Sequence, residues 1–73
     1  MHFVFTNKAN KQYSKLDSQT QIRIKDKLLL LKQDGSLLKK NLKSVVNLLP
    51  ATHRIRVGSY RLLLSEDNNG FII

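Results

Sequence analysis

The apolar positions at the start of the chain predict a short strand and then a helix. Residues 2–5 carry aromatic and β-branched side chains before a polar break, a pattern typical of a strand. Ala9, Tyr13 and Leu16 follow at i, i+4 and i+7. This spacing places the three side chains on one face of a helix, where they form an apolar stripe.

Capping residues indicate where two successive helices begin and end. Thr6, or the residue after it, is suited to cap the first helix. The second helix is expected to begin with a capping box in which Ser18 is the cap and Gln21 reaches back to it. It is expected to run to Asp34, with Gly35 as a left-handed stop. Because almost no loop separates the two helices, they are predicted to form an antiparallel helical hairpin.

The second helix carries apolar residues on more than one side. Its main stripe consists of Ile24, Leu28 and Leu31. Three more apolar side chains lie outside that stripe, namely Ile22, Leu29 and Leu30. A helix of this kind is usually covered on more than one side. We expect the sheet, the first helix and a binding partner to cover it.

The segment from residue 36 to residue 49 mixes apolar residues with Lys39, Lys40 and Lys43, and it does not predict one structure. A short turn of helix followed by extended chain is one interpretation. Pro50 argues against a helix at the end of the segment, because it biases the residue before it towards an extended conformation.

The second half of the chain predicts consecutive strands joined by tight turns. Residues 52–57 and 60–64 alternate in the manner of two strands, joined at Gly58 by a two-residue type II′ turn. Asn69 and Gly70 form a second hairpin signal, after which a further strand begins.

These elements give the order β-α-α-β-β-β. We therefore predict an α+β fold in which an antiparallel sheet has the N-terminal helical hairpin packed on one face. At 73 residues the chain is expected to be a single domain with a thin core. Cysteine is absent, so no disulfide can support that core, and a partner protein is the expected source of further stability.

The predicted turn decides which side chains of the hairpin share a face. A two-residue loop pairs Arg56 with Arg61 and Arg54 with Leu63. Because side chains alternate along a strand, these four lie on one face, while His53 lies on the apolar side as a packed histidine. Directly opposed arginines destabilise a sheet by roughly 0.2–1 kcal/mol per pair. Three guanidinium groups without a matched carboxylate therefore predict a site for an external anion, and their planar form suits phosphate.

The charge of the whole chain agrees with an anion-binding site. Lys and Arg number 13 against 5 Asp and Glu, which gives a formal net charge of +8 and an isoelectric point of about 10.2. Such a surface attracts nucleic acid, an anionic membrane or an acidic protein. Lys39, Lys40 and Lys43 are further candidate RNA-binding residues. The two histidines and the scattered carboxylates lack the spacing of a metal site, and we expect neither a metal nor a cofactor.

The apolar runs and the first residues predict a location in the cytoplasm. The longest apolar run, residues 28–31, is far shorter than the ~20 residues of a membrane helix. The N-terminus lacks the charged start and long apolar region of a signal peptide. The absence of cysteine fits a reducing compartment.

The hairpin resembles the signature of the RelE/ParE superfamily, the toxins of type II toxin–antitoxin modules. Residues 53–62, with the sequence HRIRVGSYRL, are similar to the "YRIRVGDYRI"-like run of that family. The helices placed before the hairpin follow the same plan, as does the Leu42-Lys43 pair upstream of it. The resemblance covers nearly the whole chain, and the hairpin is its specific part.

The resemblance implies a small basic toxin that inhibits growth and is silenced by a tightly bound antitoxin. One branch of the superfamily cleaves mRNA in the ribosomal A site, and another poisons DNA gyrase without nuclease activity. In the nuclease branch, basic residues at the positions matching Arg54, Arg56 and Arg61 hold the scissile phosphate. These three are therefore the candidate catalytic residues, and a metal-independent, ribosome-dependent mRNA endonuclease is the leading hypothesis.

Two alternatives to the endonuclease stay open. One is a gyrase-poisoning toxin, and the other is a truncated, inactive toxin that only binds its antitoxin. The family's last strand and tail supply a further arginine and an acid–base group, and residues 1–73 are expected to lack that tail.

Overall fold

The computed structural model of the chain describes residues 2–68 and 70–73, which form three helices and a five-stranded sheet. In chain order the elements are β1 (His2–Val4), α1 (Asn7–Ser14), α2 (Ser18–Gln33), α3 (Gly35–Asn41), β2 (Lys43–Ser44), β3 (His53–Val57), β4 (Tyr60–Asp67) and β5 (Gly70–Ile72). Within these described ranges, each helix is too short or too polar to cross a membrane.

The sheet is mixed rather than antiparallel. Its strand order is β1-β5-β4-β3-β2. The pairs β5–β4 and β4–β3 are antiparallel, as predicted. The predicted order β-α-α-β-β-β lacked α3 and β2, and β2 pairs antiparallel with β3. The prediction is wrong for β1, which runs parallel to β5. Phe3 stacks on Phe71 across this pair, with ring centroids 6.0 Å apart. The apolar pattern of a strand shows that it pairs but not with which partner, so the sequence did not reveal this long-range contact.

The first two helices are present, and their caps are partly those expected. The Thr6 hydroxyl oxygen accepts a hydrogen bond from the Ala9 amide at 3.1 Å and caps α1. Asp17 caps α2 by accepting from the Thr20 amide at 3.2 Å, so the predicted capping box is wrong. Asp17 precedes Ser18, and its carboxylate is at least as good an acceptor as a hydroxyl.

Gln21 connects the two helices instead of completing a capping box. Its side-chain nitrogen donates to the Tyr13 carbonyl oxygen at 2.8 Å. In return, the Tyr13 hydroxyl donates to the Gln21 carbonyl oxygen at 2.8 Å. These reciprocal bonds span the short link between α1 and α2.

A third helix follows α2 directly. Asp34 accepts hydrogen bonds from the amides of Ser36 and Leu37 at 3.0 and 3.2 Å and caps α3. Gly35 is therefore the first residue of a new helix, and its predicted role as a left-handed stop is wrong. The interpretation of a short helix followed by extended chain is confirmed, because α3 leads into β2.

The core lies between α2 and one face of the sheet. The α2 side chains in it are Ile24, Leu28 and Leu31, as predicted. The sheet supplies four buried residues, which are Ile55, Val57, Leu64 and Phe71. The stripe on α1 is only partly buried, so α1 covers the edge of this core rather than entering it.

Thr52 holds the start of β3 against β4. Its amide donates to the Leu64 carbonyl oxygen at 2.8 Å, and its hydroxyl oxygen accepts from the Glu66 amide at 3.1 Å. Nearby, the Ser65 hydroxyl donates to the Pro50 carbonyl oxygen at 2.8 Å. The loop between β2 and β3 is thereby anchored to β4.

Gly70 allows β1 to approach β5. Asn69, the other half of the predicted turn, lies outside the described residues. Gly70 has φ +144°, which L side chains rarely adopt, and a Cβ built on it would lie 1.9 Å from the His2 carbonyl oxygen. The backbone position opposite His2 therefore requires glycine.

Replacement of Gly70 by alanine should separate β1 from the sheet. We expect Gly70→Ala to lower the free energy of unfolding by about 1–3 kcal/mol or more, as backbone strain and a backbone clash combine. Gly35→Ala is the matched control, because no atom lies within 4 Å of the added Cβ. That control should change stability by less than about 0.5 kcal/mol. Chemical denaturation of both variants checks this, and equal effects would contradict it.

The Asp17 cap should make stability depend on pH. Hydrogen bonds from the Thr20 hydroxyl and amide lower the pKa of Asp17 below its usual value. The ionised carboxylate therefore stabilises the fold at neutral pH, and this contribution is lost as the pH falls through the lowered pKa. We expect Asp17→Ala to lower the melting temperature at pH 7, and the difference from wild type to shrink below pH ~4. A constant difference across thermal melts from pH 7 to 3 would contradict this.

Candidate nucleic-acid interface

The sheet face that points away from the core carries the predicted arginines. The observed register pairs Arg56 with Arg61 and Arg54 with Leu63, as predicted. Gly58 has φ +59°, whereas Ser59 does not have a positive φ, in agreement with the predicted type II′ turn. This turn therefore sets the hairpin register and the direction of the arginine side chains.

We call Arg54, Arg56, Arg61 and Lys43 the arginine face. Lys43 belongs to it because β2 pairs Lys43 with Arg54. The sheet thus contains two directly opposed like-charged pairs, each destabilising by roughly 0.2–1 kcal/mol. No carboxylate occupies a directly paired strand position next to these four residues. Arg56 and Arg61 are exposed, whereas Arg54 is half-buried.

Arg56 and Arg61 are the closest pair on this face. Val57 and Tyr60 flank a two-residue turn and so exchange both backbone hydrogen bonds. Arg56 and Arg61 form the next pair along, which is of the closer, non-hydrogen-bonded kind with Cα atoms about 4.5 Å apart. Two guanidinium groups that start this close can both reach a single phosphate group.

Helix α2 brings further cations to the edge of the arginine face. Arg56 lines a shallow depression of about 350 Å³ together with Arg23, Lys27 and Asp26. Arg23 also approaches the turn, because its Nη1 atom would lie 4.0 Å from a Cβ at Gly58. Sequence reasoning missed Arg23 and Lys27, and no local signal could reveal them, since their position depends on how α2 crosses the hairpin.

The three candidate RNA-binding lysines do not form one group. Lys43 lies opposite Arg54, but Lys39 and Lys40 lie in the last turn of α3 and are exposed. Lys39 lines a different depression, together with Gln33 and the start of α3. The structure therefore places one of the three lysines on the arginine face.

His53 points into the core side of the sheet, as predicted. Its Nδ1 atom lies 2.9 Å from the Thr52 hydroxyl oxygen, and its ring meets Phe71 edge to face at 5.8 Å. Tyr60 also belongs to that side, because it pairs with the buried Val57. Neither side chain is therefore on the arginine face to act as a proton donor there.

Within residues 2–68 and 70–73, no group of three or more metal-ligating side chains is present. The arginine face offers guanidinium and ammonium groups, which can bind an anion and stabilise negative charge on it.

Comparison of the chain with protein-family models, with curated proteins and with solved structures gave no match in any of the three.

RNA binding to the arginine face should depend steeply on salt. Each phosphate neutralised on a single strand contributes about −0.7 to the slope of log affinity against log salt concentration. We expect Arg61→Ala to make the slope less steep by about that amount, whereas Lys11→Ala on α1 should leave it nearly unchanged. Fluorescence anisotropy with a labelled single-stranded RNA from about 50 to 200 mM salt measures both. A flat dependence for the wild type would contradict the assignment.

Proposed function

We propose that this chain is the toxin of a type II toxin–antitoxin module and that it cleaves mRNA on the ribosome. The observation that carries the proposal is the arginine face, where two opposed cationic pairs are retained at a cost in stability. The similarity of residues 53–62 to the RelE/ParE hairpin supports mRNA as the anion that this face binds. A cytoplasmic location is part of the same proposal.

The proposed reaction needs no metal or cofactor. A ribose 2′-hydroxyl gives up its proton to water or to a ribosomal group and attacks the adjacent phosphorus atom in line. The bond to the 5′-oxygen of the next nucleotide breaks, and that oxygen takes up a proton from the same sources. The products are a 2′,3′-cyclic phosphate and a 5′-hydroxyl end. Negative charge grows on the phosphate oxygens during the attack, and positioned cations that meet it there are worth several kcal/mol.

The arginines have different roles in this proposal. Arg56 and Arg61, the closest pair, hold the scissile phosphate between them. Arg54 and Lys43 form the next cationic pair along the same face and hold a neighbouring phosphate. Arg23 and Lys27, at the edge beside Arg56, extend the basic path for the RNA backbone or for ribosomal RNA.

An acidic antitoxin is the proposed partner. The net charge of +8 favours an acidic protein, and α2 leaves Ile22, Leu29 and Leu30 about half exposed. These three side chains lie outside the α2 stripe that packs into the core. An antitoxin segment that covers α2 and extends to the arginine face would bury them and neutralise the arginines.

One observation favours the gyrase-poisoning or inactive alternatives. The four residues of the arginine face include no histidine or tyrosine to donate a proton to the leaving 5′-oxygen. His53 and Tyr60 belong to the other side of the sheet, and His2 lies in β1, at the edge opposite β2. A toxin that only binds DNA gyrase or an antitoxin needs no such group. The nuclease proposal requires the donor to come from the ribosome or from water.

The double substitution Arg56→Ala with Arg61→Ala tests the proposal. It removes no core volume and relieves a like-charge pair, so stability should stay level or rise by up to about 1 kcal/mol. Toxicity and mRNA cleavage should nevertheless fall at least about 100-fold, the scale of losing one or more charge-stabilising groups. Thermal melts, growth assays and mapping of ribosome-bound mRNA ends measure the two effects.

Lys11→Ala with Lys15→Ala is the matched control, since it removes the same charge from exposed positions outside the face. It should leave toxicity unchanged. If the double arginine variant has a clearly lower melting temperature than the wild type, the arginines are structural and the proposal is wrong. A wild-type protein that arrests growth with intact mRNA but inhibited gyrase would establish the alternative instead.

We expect an adjacent reading frame to encode a small acidic protein, and co-expression of this chain with that protein tests the partner. We expect a stable complex on size-exclusion chromatography and relief of growth arrest. Leu29→Ser with Leu30→Ser should weaken the complex, while the Lys11 and Lys15 control should not. If the chain elutes as a monomer and does not bind that acidic protein, the partner assignment is wrong.

A further inference from the structure

The loop between β2 and β3 carries the two most exposed large apolar side chains of the described residues. Val46 and Leu49 have 80% and 84% of their surface exposed, and Leu48 between them has 43% exposed. We call these three residues the apolar tip. Side chains as exposed as Val46 and Leu49 touch very little of the protein, so they project from the surface. Large apolar side chains that are exposed together mark an interaction site, whereas single ones do not.

Hydrogen bonds hold this loop in place between strands in the middle of the chain. The Val45 amide donates to the Thr52 carbonyl oxygen at 3.0 Å and continues the pairing of β2 with β3 into the loop. The Ala51 amide donates to the Leu48 carbonyl oxygen at 2.9 Å and closes a turn beside the tip. With the anchor to β4 described above, the backbone of the tip is already ordered. Binding through the tip therefore costs little conformational entropy.

Cations accompany the tip, and carboxylates do not. Residues 35–65 contain no Asp or Glu. The basic residues of this stretch are Lys39, Lys40, Lys43, Arg54, Arg56 and Arg61. Lys43 and Arg54 pair with each other two residues from Val45 and Thr52, where the loop begins and ends, which is about 7 Å along the strands. The apolar tip therefore stands in front of a cationic pair.

We propose that the apolar tip inserts into the surface of an anionic lipid bilayer. Apolar groups that bind at such a surface reach about 5–10 Å into the boundary between headgroups and acyl chains. The distance of about 7 Å from the loop to the cationic pair matches this depth. Lys43 and Arg54 thus lie at the level of the anionic headgroups when the tip is inserted. The formal net charge of +8 favours the approach of the chain to such a surface.

The size and form of the tip favour a lipid surface over a protein partner. A stable protein interface buries roughly 800 Å² per partner over about 20–30 residues, and it requires a complementary shape. The tip offers three side chains that project from the surface and form no groove. A fluid bilayer accommodates projecting side chains without a matching shape, and its anionic lipids present charge across the whole surface.

Binding to lipid vesicles tests the proposal. The probe is a vesicle of phosphatidylcholine with about 30% of an anionic lipid, phosphatidylglycerol, and vesicles of phosphatidylcholine alone are the uncharged comparison. We expect the intact chain to sediment with the anionic vesicles at about 0.1 M salt. It should bind the uncharged vesicles at least about tenfold more weakly, because the cationic pair then lacks a partner. If the chain does not bind the anionic vesicles, the proposal is wrong.

Serine substitutions in the tip measure the apolar contribution. Val46→Ser with Leu49→Ser should weaken vesicle binding at least about tenfold, because the variant no longer moves two aliphatic side chains out of water. Both positions are exposed, so the melting temperature should stay close to that of the wild type. Leu29→Ser with Leu30→Ser is the matched control, since it removes two half-exposed leucines from α2, and it should leave vesicle binding unchanged. Equal loss of binding in both variants would overturn the assignment to the tip.

A single charge removal locates the cationic pair. Lys43→Ala should weaken binding to the anionic vesicles about fivefold, the scale of one cation at an anionic surface. Lys11→Ala removes the same charge from an exposed position on α1 and should have a clearly smaller effect. If the two variants lose binding equally, net charge alone attracts the chain and the proposed orientation is wrong.

A fluorescent label reports insertion directly. Because the chain has no cysteine, Leu49→Cys provides a single site for a nitrobenzoxadiazole label, whose emission depends on the polarity around it. We expect the emission to shift to shorter wavelength when anionic vesicles are added. The same label at Gln19→Cys, exposed in the first turn of α2, should not respond. Vesicle-bound chain with unchanged emission at residue 49 would show that the tip does not insert.

A tip that contacts protein instead of lipid gives a different result. The chain then does not bind vesicles, and Val46→Ser with Leu49→Ser weakens its complex with the acidic protein proposed above. That outcome would overturn the proposal. The vesicle measurements contain neither RNA nor an antitoxin, so failure of the proposed toxin function does not alter them.

Discussion

The register of the β3–β4 hairpin is the constraint on which the rest of the structure depends. Side chains alternate along each strand, so the burial of Ile55 and Leu64 under α2 forces the arginines onto the opposite face. A slip of one residue would bury the guanidinium groups without partners, which costs several kcal/mol per charge. The tight turn at Gly58 and the apolar core therefore determine where the cations stand.

The same alternation explains why this small domain contains opposed like-charged pairs that lower its stability. The core is thin, with seven buried residues in its main cluster, so the sheet has little stability to spare. Opposed pairs such as Arg56 with Arg61 nevertheless persist on the exposed face, where water screens part of the repulsion. An anion that enters this face relieves the repulsion and gains two charged partners at once.

Local patterns predicted the hairpin and the buried stripe of α2, because both follow from spacing within a few residues. The parallel pairing of β1 with β5 joins residues that are far apart in sequence, and the local spacing of apolar residues does not predict it. The start of α3 at Gly35 was missed because Asp34 caps a new helix instead of letting the chain turn away. For the site, the three arginines were predictable from the turn, whereas Arg23 and Lys27 depend on helix packing.

The pairing of β1 with β5 has a consequence for the order of events during synthesis. Among the elements described here, β1 is synthesised first and its partner β5 is synthesised last. Until then, Phe3 has no Phe71 to stack on, and the core lacks one wall. Long-range pairing of this kind slows folding, and the nascent chain exposes apolar surface while it waits. The pairing of β1 with β5 therefore becomes possible only after β5 has been synthesised.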